Sequence, residues 1–177
     1  MDLMYNDRTD SRNISFSGSK DSLLVNVSAN LRSANVYASK KYPNLVLNEE
    51  KPFEFWLYQL RNHPDKEPRK RAAINIRPYT DNPDLQLALI DALEQEQDAT
   101  VKAEILRTLS ATPRGATGTH EMYTDRLSGN PLEVRIAALE ALQAYPNVDR
   151  VTQRVQRYAL VSENPEMRKT ALQTYRY

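Results

Sequence analysis

The 177-residue chain has no cysteine, two histidines, one tryptophan and no apolar run approaching a membrane span. Without cysteine it forms no disulfide, holds no metal by thiolates and carries no thiol nucleophile; both cytosol and periplasm tolerate such a composition, so the compartment stays open. Charge of one sign is lacking too. Lys and Arg number 24 against 23 Asp and Glu, for a formal net charge of +1. No whole-chain field therefore draws nucleic acid or an anionic membrane, and any charged partner is met locally. A spanning helix needs about 20 apolar residues, and the opening MDLMYNDRTD is acidic and polar where a signal peptide has a basic start and an apolar run. The chain as given reads as soluble. Its length buries a real core, enough for one ordinary domain or two small ones.

The aromatic bulk is concentrated in KPFEFWLYQLRNHP, Lys51 to Pro64. Phe53, Trp56, Leu57 and Leu60 fall at i, i+3, i+4 and i+7, one apolar stripe of a helix. Before it, from Asn13 to Leu47, apolar residues alternate: Ile14 and Phe16; Leu23, Val25 and Val27; Val36; Leu45 and Leu47. Gly18-Ser19, Asn30 and Tyr42-Pro43-Asn44 separate them. This pattern predicts as many as four short antiparallel strands. So small a sheet is marginal alone, and the aromatic helix is its natural cover.

Beyond Pro64 the period becomes helical and repeats. Lys70, Lys102, Arg135 and Arg168 each precede an apolar residue by three positions (Ala73, Ile105, Ala138, Ala171) and by four (Ile74, Leu106, Leu139, Leu172). A recurrence of this length marks stacked helix pairs. Asn130-Pro131 and Asn164-Pro165 read as caps with proline in the first turn. The first helices of the pairs occupy Pro52 to Asn62, Pro83 to Gln95, Thr119 to Leu127 and Val148 to Leu160. The fold predicted is mainly α: a superhelix of four helix pairs over 51–177, preceded by a small antiparallel β segment over 1–50. The last pair, Val148 to Tyr177, has Leu172 and Tyr175 on its packing stripe with no cap after them, and is expected to be the least stable.

NPLEVRIAALEAL resembles a HEAT repeat. The junction resembles something narrower. A strand at Leu45 to Leu47, an acidic link, a Lys-Pro and then FEFWLYQLRNHPDKEPRKRAAINI is similar to the boundary in zinc aminopeptidases of the aminopeptidase N type. There a small β-sandwich hands over to a C-terminal helical domain through a phrase matched by Phe55 to Leu60. The resemblance implies a non-catalytic C-terminal domain that shapes peptide access to a catalytic domain, which would be its partner and would hold the zinc. This chain has no H-E-x-x-H: His120 opens HEMYT, where Thr124 stands in place of the second histidine, so no pair of imidazoles is set at i and i+4. The G-x-M-E-N phrase is missing as well. No catalytic, metal or cofactor residue is expected here, and His120 reads as a solvent-facing histidine near a helix start.

Three further stretches carry charge or turn chemistry. RGATG, 114–118, lacks a phosphate-loop lysine and reads as a loop between repeats. Arg69-Lys70-Arg71 is diluted by Asp65 and Glu67 and reads as a solvated helix start. Arg150, Arg154 and Arg157 line one face of a helix whose opposite face carries Val148, Val151, Val155 and Ala159; they form either a partner-binding ridge or a plain solvated face. A second function fits the same residues: a stand-alone repeat module that binds another protein and catalyses nothing. Balanced charge argues against nucleic acid.

Overall fold

The computed structural model describes residues 1–15, 24–36, 49–111 and 119–175, apart from the side chains of Thr119 and Tyr175. Three strands, β1 (Asp2–Tyr5), β2 (Thr9–Ser11) and β3 (Leu31–Asn35), form an antiparallel sheet in the order β2-β1-β3. Eight helices follow among the described residues: α1 (Phe53–Asn62), α2 (Lys66–Asn75), α3 (Pro83–Gln95), α4 (Ala99–Leu109), α5 (Thr119–Asp125), α6 (Leu132–Ala141), α7 (Asp149–Val161) and α8 (Pro165–Tyr175). The protein is thus mainly helical with a small three-stranded sheet.

The sheet is built from other residues than the alternation suggests. Its central strand is β1, where Leu3, Met4 and Tyr5 are all buried. Consecutive burial erases a period of two. Ile14, Val25 and Val27 lie in no strand, and Val36 follows directly after β3. Phe16, Leu23, Leu45 and Leu47, the corners at 18–19 and 42–44, and the loop at 114–118 fall outside the described residues. A turn at Ala29-Asn30 leads into β3, with the Leu31 N–H bonded to the Ser28 carbonyl at 3.1 Å.

The helix starts follow local chemistry. Asn82 and Asp98 accept from the backbone N–H groups two and three residues on, opening α3 and α4, and Asn164 does the same for Glu166 and Met167 in α8. Each satisfies orphan donors of a first turn. Asn130 does not: its side chain donates to the Ser128 carbonyl, and α6 begins after Pro131 without a side-chain cap.

The helices pack as pairs, α1 on α2, α3 on α4, α5 on α6 and α7 on α8, while α2, α4, α6 and α8 form an unbroken row. One apolar core runs through them from Trp56 to Ala171. In the first pair the basic residue that ties the helices together is Arg69 and not Lys70, and Arg135 and Arg168 do the same in the third and fourth. Arg69 donates to the His63 and Pro64 carbonyls, Arg135 to that of Leu127, and Arg168 to those of Ser162 and Glu163. Each guanidinium thus ties the end of a first helix to the second helix. With Lys102 at the matching place the spacing is 33 residues throughout. The shift also explains why Ile74 is 42% exposed: the residue four beyond the base is Ala73, which is fully buried. Neighbouring second helices interlock there. The Thr108 hydroxyl donates to the Ala73 carbonyl at 2.7 Å, and the Thr174 hydroxyl, two repeats on, to that of Leu139 at 3.3 Å.

Candidate functional site

The junction between sheet and helices centres on Lys51, just before the proline that opens α1. Its ammonium donates to the Ala34 carbonyl (2.9 Å), Asn35 Oδ1 (2.7 Å) and Gln59 Oε1 (2.6 Å), and lies 3.2 Å from Glu49 Oε2. It also sits 3.8 Å over the Trp56 ring. Gln59 in turn donates to the Pro68 carbonyl, and Arg71 pairs with Glu49. Burial, against the opposing pull of Glu49, draws the Lys51 pKa down to about 8. Of the expected stripe, Trp56 and Leu60 are buried, whereas Phe53 and Leu57 are only half-buried; the fully buried polar Gln59 takes their place. The buried face is turned toward Gln59 because the clasp around Lys51 requires that amide. This is structural chemistry, a polar lock over an aromatic ring.

A second polar cluster closes the α1–α2 corner. Arg69 grips both oxygens of Glu96, at 2.8 and 3.1 Å, while the Glu96 carboxylate also accepts from the Gln97 and Asp98 N–H groups. Burial pushes the Glu96 carboxyl up, but the guanidinium and the two backbone donors outweigh it and hold it below the ordinary range. His63 is buried nearby, its Nδ1 accepting from the Asp65 N–H at 3.0 Å. Burial lowers its pKa from 6.5, against the pull of Asp65 and Asp2. A depressed histidine means that the unfolded chain binds the proton more readily than the native one. Stability is therefore expected to fall as pH drops below 6.5, and His63→Gln to flatten that fall; the check is the urea midpoint between about pH 7 and 5. A midpoint that holds or rises on acidification contradicts this. Glu96 adds a loss of the same sign at lower pH, as its carboxylate is protonated.

The surface of α7 is different in kind. Arg150, Arg154 and Arg157 are exposed along one face and make no ion pair or hydrogen bond with the described residues. Arginines elsewhere are engaged: Arg61 with Asp91, Arg69 with Glu96, Arg71 with Glu49, Arg107 with Glu104 and Glu140, and Arg126 with Glu94. Two grooves flank the ridge. One, of about 610 Å³, runs between α5 and α7, with His120, Glu121, Thr124 and Asp125 on its far wall. The other, of about 590 Å³, lies against Ser128, Arg135, Tyr158 and Glu163. Arg154 and Arg157 stand in both. Val151 and Val155 on the opposite face are buried, and Val148 and Ala159 pack partly against the core. His120 is half-buried, its ring 5.8 Å from that of Tyr145, so it does not simply face solvent.

Among the described residues no group of three or more His, Asp or Glu side chains is placed to hold a metal ion, and no helix is long and apolar enough to cross a membrane. The class that the described residues define is a helical scaffold with a small three-stranded sheet and a basic ridge that pairs with none of them. In comparison with known proteins, no family model matches the sequence, and neither a curated protein nor a solved structure matches the chain.

Proposed function

We propose that this chain is a non-catalytic HEAT-like repeat domain that holds another protein against the α5–α7 face. The partner we propose is the catalytic domain of an aminopeptidase N-type zinc peptidase, whose peptide access the chain shapes. The observation that carries the reading is the ridge of three arginines, unpaired among the described residues, between two grooves, in a molecule whose other arginines are largely spent on internal partners. Guanidiniums are favoured at protein interfaces because their planar fork meets carboxylates in a fixed geometry. The 33-residue recurrence supports an extended array with a broad side face. The choice of partner rests on the resemblance of Phe55 to Leu60 and its setting.

The test is a calorimetric titration of the chain into such a catalytic domain stripped of its own helical domain. A one-to-one complex is expected, weakened roughly tenfold or more by Arg154→Glu with Arg157→Glu, and weakened by salt, as steered charge contacts are. Cleavage of long peptides should fall relative to that of short amides. Absence of a complex removes this partner. The stand-alone module, which the same ridge serves, would then be the better reading.

A further inference from the structure

Two repeat steps of 33 residues carry Arg69 to Arg135, Glu96 to Ser162 and Asp98 to Asn164. The backbone of the two corners agrees: Glu96 closes α3 at φ −66° and ψ 142°, and Ser162 closes α7 at φ −66° and ψ 130°. Asp98 and Asn164 then cap the next helix alike, each accepting from the N–H groups two and three residues on. In the first corner a carboxylate fills the space. Glu96 is held there by Arg69 and by the N–H groups of Gln97 and Asp98. In the later corner that place has only the short hydroxyl side chain of Ser162. The matching N–H groups of Glu163 and Asn164 meet no acceptor among the described residues. Arg135 is fixed by its Nε on the Leu127 carbonyl, at 2.9 Å, which also accepts from the Tyr158 hydroxyl, while its terminal nitrogens have no partner among the described residues. The cavity is correspondingly wider, about 590 Å³ beside Arg135 and Ser162 against about 230 Å³ beside Arg69 and Glu96. Arg154 and Arg157 line it where the first corner has Ala88 and Asp91, and its one acid is Glu163. The intervening corner, with Lys102 and Gly129 at these places, lacks guanidinium and carboxylate together. The Arg135 corner keeps the donors of an ion pair and lacks the acceptor.

We infer that this groove is a carboxylate seat: an Asp or Glu side chain on an acidic segment of the protein partner enters it and takes the place that Glu96 fills from within in the first corner. The inference rests on the reading of the α7 ridge as a protein-binding surface and narrows the contact to one groove and one kind of side chain. The incoming carboxylate accepts from the terminal nitrogens of Arg135 and from the N–H groups of Glu163 and Asn164, charge-assisted bonds from donors already in place. Arg154 and Arg157 at the wall meet further acids of the same segment, which the wider groove admits. A planar carboxylate is favoured over a phosphoryl group because the matching corner already holds one, with both of its oxygens on Arg69.

Ser162→Glu supplies the carboxylate from within and is the test. In the free chain it is expected to raise the urea midpoint above that of Ser162→Gln, a side chain of the same size without the charge. The gain should vanish when Arg135→Gln is added, which separates the guanidinium from the nearby start of α8. The open seat is probed with acetylated hexaglutamate amide, followed through the Nε–Hε magnetic resonance signals of the arginines. Hexaglutamate is expected to shift the Arg135 signal, and Ser162→Glu to weaken its binding at least about tenfold, with Ser162→Gln weakening it less. Equal binding to the parent and to Ser162→Glu would mean general attraction to the ridge and overturn the inference. A Ser162→Glu midpoint no higher than that of Ser162→Gln overturns it too. Inorganic phosphate that shifts Arg135 where hexaglutamate does not would assign the groove to phosphoryl groups, with the same consequence. The proposed partner is judged separately, by calorimetry with the catalytic domain. A complex indifferent to Ser162→Glu refutes the seat alone; no complex, with hexaglutamate still bound at Arg135, refutes that partner alone.

Discussion

Trp56→Ala is expected to lower the stability of the chain by about 3–5 kcal/mol, the range for truncating a large aromatic in a packed core. The ring is 2% exposed and belongs to the main apolar cluster, so its removal leaves a cavity where the sheet meets the helices. The loss extends beyond packing. The Lys51 ammonium, 3.8 Å above the ring, loses a face that helps to hold its charge in a buried place. The hydrogen bonds from Lys51 to Ala34, Asn35 and Gln59 are positioned by the same contact, so β3 and α1 should loosen together. Trp56 is the only tryptophan, so the urea transition is followed by far-ultraviolet circular dichroism and not by fluorescence. A loss under about 1 kcal/mol would place the ring outside the core.

Arg69→Ala is expected to cost a similar amount, about 3–5 kcal/mol, for a different reason. Its guanidinium bonds both Glu96 oxygens and the carbonyls of His63 and Pro64, joining the first pair to the corner between α3 and α4. The Glu96 side chain is only 6% exposed, so truncation strands a buried carboxylate with backbone donors alone. Arg69→Lys should recover little, since one ammonium cannot span four acceptors in a plane. Glu96→Gln combined with Arg69→Ala should recover part of the loss, because it removes the stranded charge. A double variant no more stable than Arg69→Ala would show that the carbonyl bonds, and not the ion pair, carry the effect; a single variant within about 1 kcal/mol of the parent would contradict the account of this corner.

The helix pairs were legible in the sequence because their signals are local. Apolar residues at helical spacing place the helices, and Asn164 before Pro165 caps α8 as its sequence suggests; Asn130 before Pro131 caps nothing, and the caps at Asn82 and Asp98 emerge only in the structure. The register slipped by one at Arg69-Lys70-Arg71, where three bases stand in a row. Only the folded corner shows which of them reaches the carbonyls. Strand β1 was not legible, since Leu3, Met4 and Tyr5 are buried in succession and leave no alternation. The clasp around Lys51 was invisible for a related reason: it joins residues 34, 35, 49, 51 and 59, whose meeting is a tertiary event without a spacing of its own. The stripe Arg150, Arg154 and Arg157 could be read from its spacing, but the grooves beside it depend on where α5 and α6 lie.

The account's central claim is a row of interdependent helix pairs, sealed at the sheet by Trp56 and Lys51 and open at the outer face of α8. Hydrogen exchange along the full chain tests it most directly, since amide protection reports local opening helix by helix. The account predicts the slowest exchange in α4 and α6, whose buried faces meet neighbours on both sides, and the fastest among the helices in α7 and α8, whose outer leucines are bare. Protection of α7 and α8 equal to that of α4 would contradict it.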